Sequence, residues 1–404
     1  MMVLEMWFME IARGFGKIFI HPILYWTILF LLITGYKRIS RERNQFGVKV
    51  YNLFAEIRHT FVISLIFSII ISMLTFSFGI VLSVEIITIL GIVMVVLGIT
   101  GSPTMLSASY TIGITFILLL LLPLIPLENL HPSMNVQNIS TVHFICLAML
   151  TGLFLLIEAC IVSSRKSRQS FPEISLSERG VWIGQHQLKS IAFIPFFALL
   201  PTDTASGIIP LWPYFEFGGQ TFSPIFLPFF LGYQYKAQST LPSIAAQKIA
   251  QSTLFLSMVV ILFAIGSLFF PILSFIAILI AIIGKEWMTY RHRINDRKKP
   301  AFFSPLPQGI KVLATIPKSP ADRLGILAGE TILKVNGIVI TNSTQFYEAL
   351  QMSGAFFKID LLDVNGEIRL IRSALYEEDH HELGLIFPQA PYSPLLQEKV
   401  HATK

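Results

Sequence analysis

The stretch GIKVLATIPKSPADRLGILAGETILKVNGIVI, residues 309–340, decides the fold of the C-terminal quarter of this chain. Its first residues alternate enough to predict a short strand. Ser319 then provides a helix N-cap, and Pro320 occupies the first helical position, where its missing N–H costs nothing. A second strand follows and ends at Asn336-Gly337, a strong signal for a two-residue hairpin. The stretch therefore predicts a soluble module built from short strands and helices.

The residues that follow complete this module. Residues 342–343, Asn-Ser, can cap a helix over residues 345–351, with Phe346 and Leu350 on one face. Two further strands flank an Asn-Gly pair at residues 365–366, which predicts a second hairpin. The expected fold is a small, strand-rich α+β barrel with two helices.

The order of a strand, SPA-x-x-x-G-I, G-E-x-I-L-x-V-N-G and a capped helix resembles a bacterial PDZ domain, over residues 309–390. In that family a peptide adds a strand to a sheet edge beside the second helix. The glycine loop that normally precedes the first strand is missing there, because residues 297–303 are a basic linker. Its nearest match is Glu382-Leu-Gly-Leu385, so the resemblance implies a circularly permuted PDZ domain.

The binding strand would then run over residues 383–387. The implied groove residues are Leu383, Gly384, Leu385, Ile386 and Phe387 on the strand, with Phe346 and Leu350 on the helix. The preceding run EEDHHE, residues 377–382, would repel a C-terminal carboxylate, so an internal segment or a basic partner fits as well. The plain alternatives are a solvated acidic loop and two core leucines. A lone His380-His381 pair is a weak metal signal, and no metal or cofactor is predicted.

The composition of the rest of the chain indicates a polytopic membrane protein. The 404 residues are 53% hydrophobic and 13% charged, with a mean hydropathy of +0.67. Residues 1–299 hold 21 Lys and Arg against 13 Asp and Glu. That excess concerns membrane orientation and anionic lipid, not nucleic acid. Cys146 and Cys160 lie on one predicted span, about 21 Å apart, and cannot pair.

Hydropathy predicts eight or nine spans. They are placed at residues 18–36, 60–82, 86–100, 110–127 and 141–162, as two irregular spans in the proline-rich residues 190–235, and as two short spans or one bent pair in 254–283. The predicted domains are a polytopic transmembrane domain (1–284), a basic juxtamembrane linker (285–308), the PDZ-like domain (309–390) and a flexible tail (391–404).

The loops between the spans carry unequal charge. No Lys or Arg occurs from His59 to Ser164, whereas residues 37–58 hold six. The basic loops, and with them the PDZ-like domain, are therefore expected on the cytoplasmic side of the plasma membrane. Lys37, Arg38, Arg41 and Arg43 are a candidate surface for a partner or for anionic lipid; the alternative is a topology signal alone.

Motifs for chemistry are missing. The chain has no H-E-x-x-H for a membrane metalloprotease and no G-x-x-x-x-G-K-[ST] for nucleotide hydrolysis. A non-enzyme is expected. Four acids lie within or near apolar stretches and are candidates for a transport role, although each could sit at an interface. They are Glu85, Glu158, Asp203 and Glu216.

The whole layout resembles the MinJ family of cell-division topology factors. The resemblance is carried by I-H-P-I-L-Y-W-x-x-L at residues 20–29, the Gly35-Tyr-Lys-Arg38 exit, about eight spans and a terminal PDZ domain. It implies a scaffold at septum and poles that links a DivIVA-type coiled-coil protein to MinD, which with MinC blocks FtsZ ring assembly. Two alternatives remain open: a transporter or channel regulated by its PDZ domain, and a regulator of a membrane protease.

Overall fold

A computed structural model describes residues 22–124, 140–165, 169–202, 215–217, 220–352, 356–374 and 383–392. The helices are α1 (Pro22–Phe46), α2 (Ala55–Arg58), α3 (Phe61–Phe78), α4 (Val84–Ile99), α5 (Ala108–Leu121), α6 (Thr141–Ser163), α7 (Pro242–Gly266), α8 (Ile272–Arg297), α9 (Pro320–Arg323) and α10 (Ser343–Gln351). Short 3₁₀ turns cover Pro103–Leu106 and Leu122–Leu124.

The strands fall into two groups along the chain. The first group is β1 (Phe171–Leu176), β2 (Trp182–Phe193), β3 (Phe196–Thr202), β4 (Phe215–Phe217), β5 (Gln220–Leu227) and β6 (Phe230–Ala237). The second group is β7 (Ile310–Lys311), β8 (Ala314–Thr315), β9 (Thr331–Val335), β10 (Ile338–Val339), β11 (Phe356–Leu362), β12 (Ile368–Ala374) and β13 (Leu385–Ile386).

Four of the described helices are long and apolar enough to cross a membrane: α3, α6, α7 and α8. Helices α4 and α5 are apolar but shorter. The chain is thus a helical membrane protein with a strand-rich C-terminal domain, and the predicted count of eight or nine spans is not confirmed. Most helix bounds lie within a few residues of the predicted spans. Helices α7 and α8 differ, since each is longer than the two short spans expected there.

Helix α1 also differs from its prediction. It continues to Phe46, ten residues beyond the predicted end at Tyr36. The basic residues expected in a loop therefore lie on the last turns of a helix. Their spacing then decides which of them reach solvent, because residues four apart share one face.

The proline-rich stretch was predicted as irregular spans and is instead a bent β-hairpin. Strand β2 pairs with β6 and β3 pairs with β5, both antiparallel, and the bend is bridged by Ile194 N donating to Phe229 O at 2.8 Å. The inner part of the hairpin lies in the largest core cluster, among α3 to α8. Each strand satisfies the backbone of the other, which is what an apolar environment demands.

Helix α3 and the residues just after it form hydrogen bonds with the backbone of β3. Ser72 Oγ accepts from Phe197 N at 3.1 Å, and Leu82 N donates to Leu199 O at 2.8 Å. The N–H group of Phe197 and the carbonyl of Leu199 are thereby hydrogen-bonded to protein and are not left unpaired in lipid. The sequence prediction was wrong about the form of this segment, because buried strands and buried spans are both continuous apolar runs.

The C-terminal domain has the predicted elements. Its larger sheet has the order β10-β9-β11-β12, with β7 on β9, and β13 pairs with β8. Ser319 accepts from Asp322 N and caps α9. Asn336 and Gly337 adopt positive φ, of 51° and 87°, in the two-residue turn between β9 and β10. Helix α10, with Phe346, Ala349 and Leu350 buried, closes the core.

The predicted basic linker, residues 285–308, is not an extended tether. Helix α8 runs to Arg297, and Phe303 is fully buried against the β1–β2–β6 sheet. Gly184 N donates to Phe303 O at 2.8 Å, and Phe302 N donates to Gln238 O at 2.9 Å. We call this contact between the C-terminal domain and the β1–β2–β6 sheet the dock. The domain is therefore packed onto the membrane part of the chain.

Candidate functional site

The predicted binding strand is an edge strand. Strand β13 lies antiparallel to β8, and Gly384 and Ile386 accept from main-chain N–H groups beside β8 at 2.9 and 2.8 Å. Because backbone direction alternates along a strand, Leu385 and Phe387 direct their N–H and C=O groups to the opposite edge. That edge is the one to which a PDZ ligand would add.

Helix α10 lies along this edge. Asn342 caps it by accepting from Gln345 N at 2.8 Å. The rings of Phe346 and Phe387 are 5.3 Å apart, edge to face, and the Tyr347 hydroxyl donates to Leu385 O at 3.5 Å. The strand and the helix that the sequence assigned to the groove are thus brought together.

The groove side chains themselves belong to the domain core. Leu383, Leu385, Phe387, Phe346 and Leu350 are buried in one cluster. The groove therefore offers a ligand mainly the backbone groups of its edge. The carbonyl of Phe387, at the end of that edge, already accepts from Gln389 N at 3.0 Å. An added strand therefore has to displace the turn that this hydrogen bond closes. Peptide binding remains a prediction.

Gly384 is the residue on which the loop before β13 depends. Its φ is +78°, and a Cβ there would lie 2.4 Å from the Cβ of Ser319. On the same loop, Leu383 O accepts from Ala321 N at 2.9 Å, at the start of α9. Only glycine combines this conformation with so close an approach. The acidic run before the loop, residues 377–382, lies outside the described residues.

The opposite face of β13 forms part of the dock. Ile386 packs with Leu313, Ala314, Val50 and Phe171 in a separate cluster. Peptide edge and dock are therefore two faces of one short strand pair. Nothing local in the sequence identified this contact, since its members are scattered over more than 300 residues of chain.

His186 on β2 holds the dock together at its centre. Its Nε2 lies 2.9 Å from Leu313 O, its Nδ1 lies 2.9 Å from Ser170 Oγ, and its ring is 4.9 Å from that of Phe303. A carbonyl only accepts, so Nε2 carries the proton and Nδ1 accepts from Ser170. Burial lowers the pKa of His186 to about 4, opposed by the bond to Leu313. The ring is therefore neutral at pH 7.

One residue of the predicted basic surface is buried. Arg38 is 1% exposed and pairs with Glu42 at 2.7 Å and with Glu56 at 3.2 Å. Lys189 on β2 pairs with the same Glu56 at 3.0 Å. Arg38 also donates to Asn52 O at 2.7 Å. The prediction was wrong for Arg38, because its partners fold back over it.

The other three basic residues keep some or all of their exposure. Lys37 and Arg43 are exposed. Arg41 is partly buried and lies 3.6 Å from Glu173 on β1. A partner or lipid surface at this end of α1 therefore consists of Lys37, Arg41 and Arg43 without Arg38.

Glu158, one of the acids considered for transport, pairs with Lys285 between α6 and α8. Its other oxygen accepts from Ser107 Oγ at 2.6 Å. The sequence did not predict this pair. A carboxylate satisfied on both oxygens joins helices and fixes their register, so this geometry favours a structural role. Glu85 lies in the first turn of α4, Glu216 lies on β4, and Asp203 is outside the described residues.

The comparisons with known proteins agree with this architecture. A family model of the PDZ domain matches residues 311–358. The cell division topological determinant MinJ of Bacillus subtilis (strain 168) is 29% identical over 381 residues, which cover 94% of this chain and 96% of that protein. A probable MinJ of Lacticaseibacillus paracasei is 32% identical over 83 residues, 20% of this chain and 23% of that protein. The chain is therefore a MinJ-like membrane protein that carries a C-terminal PDZ domain.

Proposed function

We propose that this chain is a non-catalytic membrane adaptor in division-site selection. It links a DivIVA-type coiled-coil protein at septa and poles to a MinD-type ATPase that, with MinC, blocks FtsZ ring assembly. The observation that carries the proposal is the likeness to a division topological determinant over 94% of the chain. A PDZ domain packed onto a membrane body suits such a role, because a rigid scaffold holds partners at a fixed distance from the bilayer.

We place the PDZ domain in the cytoplasm, where both proposed partners reside. Two surfaces are available to them. One is the edge of β13 beside α10, which takes an extended segment by strand addition. The other is the basic end of α1, with Lys37, Arg41 and Arg43, which suits an acidic partner or anionic lipid.

The test is a bridging assay with the full-length chain in detergent. An immobilised DivIVA-type protein is incubated with a MinD-type ATPase, with and without the chain. The proposal expects the ATPase to be retained only when the chain is added. Absence of bridging, with both partners folded and the chain monodisperse, would overturn it.

Variants then locate the partner. Ser343 hydrogen-bonds Gln389, whose N–H covers the end of the peptide edge. Ser343→Trp covers that edge, whereas Met352→Trp, just after the other end of α10 and 80% exposed, is the matched control. Loss of one partner in Ser343→Trp alone assigns that partner to the groove. Retention of both excludes the groove as their site.

A further inference from the structure

The last turns of α8 carry an exposed stripe of aromatic and basic side chains. Trp287 and Tyr290 are 60% and 64% exposed. Arg291 follows, with its guanidinium 5.2 Å from the centroid of the Trp287 ring. Spacings of three and four place Trp287, Tyr290, Arg291, Ile294 and Lys298 on one face of the helix.

The length of α8 sets the depth of this stripe. Its 26 residues span about 39 Å, against about 30 Å for the hydrocarbon core. About 20 residues therefore cross, and from Arg291 onward the helix lies at headgroup level. Trp287 and Tyr290 fall just inside, where aromatic belts form. The exposed side chain of Ile283 continues the stripe into the apolar region.

The acidic and basic side chains at the end of α8 differ in their contacts. Both acids of this segment accept hydrogen bonds: the exposed Glu286 accepts from the Tyr110 hydroxyl at 2.7 Å, and the half-buried Asp296 accepts from Gln238 N and Ser239 N at 2.9 and 3.0 Å. From residue 291 to residue 299 the exposed charged side chains are all cations, and among the described residues none of them makes an ion pair with a carboxylate. They are Arg291, Arg293, Arg297, Lys298 and Lys299.

A contact to α7 fixes the orientation of this face. His292 lies between the exposed arginines, and its Nε2 is 2.9 Å from Ser252 Oγ on α7. Lys248, exposed and one turn before Ser252, lies on the same side of α7. The exposed cations of α8 therefore lie on the side of the helix that faces away from α7 and toward the lipid headgroups. Lys248 on α7 adds a further cation beside them.

We infer that the end of α8 is a binding site for the phosphodiester headgroup of an anionic phospholipid of the same leaflet. The arginines supply bidentate donors to phosphate, Trp287 and Tyr290 pack against the glycerol region, and the apolar stripe below takes an acyl chain. Binding of an acidic protein would require only the exposed cations and would leave the aromatic and aliphatic side chains of this face without a role. The continuity of cation, aromatic ring and exposed aliphatic side chain along one face is what favours a lipid.

The experiment titrates the full-length chain in neutral detergent with phosphatidylglycerol and counts bound lipid by native mass spectrometry. A cation near the surface contributes about fivefold in affinity, so Arg291→Gln/Arg293→Gln/Arg297→Gln is expected to weaken binding by roughly 100-fold. The matched control Lys318→Gln/Lys334→Gln/Arg372→Gln removes three exposed cations from the PDZ domain and is expected to change affinity less than twofold.

Further readouts separate the ligand sources. Trp287→Leu keeps the charge and is expected to weaken binding about threefold, through the lost cation–π contact and belt. Excess sn-glycerol 1-phosphate is expected not to displace the lipid; displacement would mean a free-phosphate site and overturn the inference. Unchanged lipid binding in the triple variant also overturns it, whether or not a protein partner is lost. If that variant unfolds, Arg291→Gln/Arg297→Gln provides the same test.

Discussion

The dock makes His186 a sensitive point for the attachment of the PDZ domain. His186→Ala removes the donor to Leu313 O and leaves that carbonyl unpaired in a buried interface. Such an orphaned acceptor costs about 1–3 kcal/mol, and loss of the ring beside Phe303 adds about 1 kcal/mol. The dock is therefore expected to weaken by about 2–4 kcal/mol.

Hydrogen exchange in the full-length chain measures this loss. The amides of Gly184 and Phe302 donate across the dock, so their protection is expected to fall by roughly 30- to 1000-fold. The amide of Asn336 donates to Lys358 O within the PDZ domain and is expected to be unchanged. His186→Gln, which keeps a side-chain N–H of similar reach, is expected to recover most of the protection. Equal protection in wild type and His186→Ala would refute the role assigned to His186.

The same residue gives the dock a pH dependence. In the docked state the pKa of His186 lies near 4, below the usual 6.5, so only the neutral ring is accommodated. The stabilisation of the dock by neutral His186 is complete above pH 6.5. It is lost as the pH falls toward 4, because His186 binds a proton more strongly in the undocked state than in the docked state. Protection at Gly184 is expected to fall over this window in wild type and less in His186→Gln. A pH profile shared by the two proteins would exclude His186 as its source.

Three further predictions concern single positions. Lys285→Met is expected to destabilise the helix bundle by about 3–5 kcal/mol by leaving Glu158 buried without its cation, and adding Glu158→Gln is expected to recover most of that loss in thermal unfolding. Gly384→Ala is expected to cost about 1–3 kcal/mol from its positive φ and its clash with Ser319, read as a lower melting temperature. Arg38→Leu is expected to cost about 3–5 kcal/mol, whereas the exposed Arg43→Leu is within about 0.5 kcal/mol; equal effects would contradict the burial of Arg38.

The PDZ domain could be predicted because its signals are local. The Ser319 cap, the Asn336-Gly337 turn and the Asn342 cap each act within a few residues, and the structure has each where the sequence predicts it. A strand over residues 383–387 was also expected, but from the likeness to PDZ domains, and its pairing with the strand at Ala314 was not predicted. No local pattern specifies it.

The hairpin and the dock could not be predicted in the same way. The end of β2, residues 190–193, and the strand β3 that follows form one apolar run without alternation, so this stretch looks like the start of a membrane span. The buried pairing of Arg38 depends on Glu56 and on Lys189, which are 18 and 151 positions away. His186 meets Leu313 across 127 positions. A single sequence does not indicate which distant charges or carbonyls meet, and the basic surface was overestimated for that reason.

The most direct test of the adaptor account is fluorescence microscopy of the full-length chain in a strain that lacks its own copy. The account predicts enrichment at septa, division at midcell and few minicells, with minicells returning when the adaptor is removed. Ser343→Trp and Met352→Trp, compared at equal expression, then show whether the groove is needed. A uniform membrane signal together with normal division in the strain without the adaptor would contradict the account.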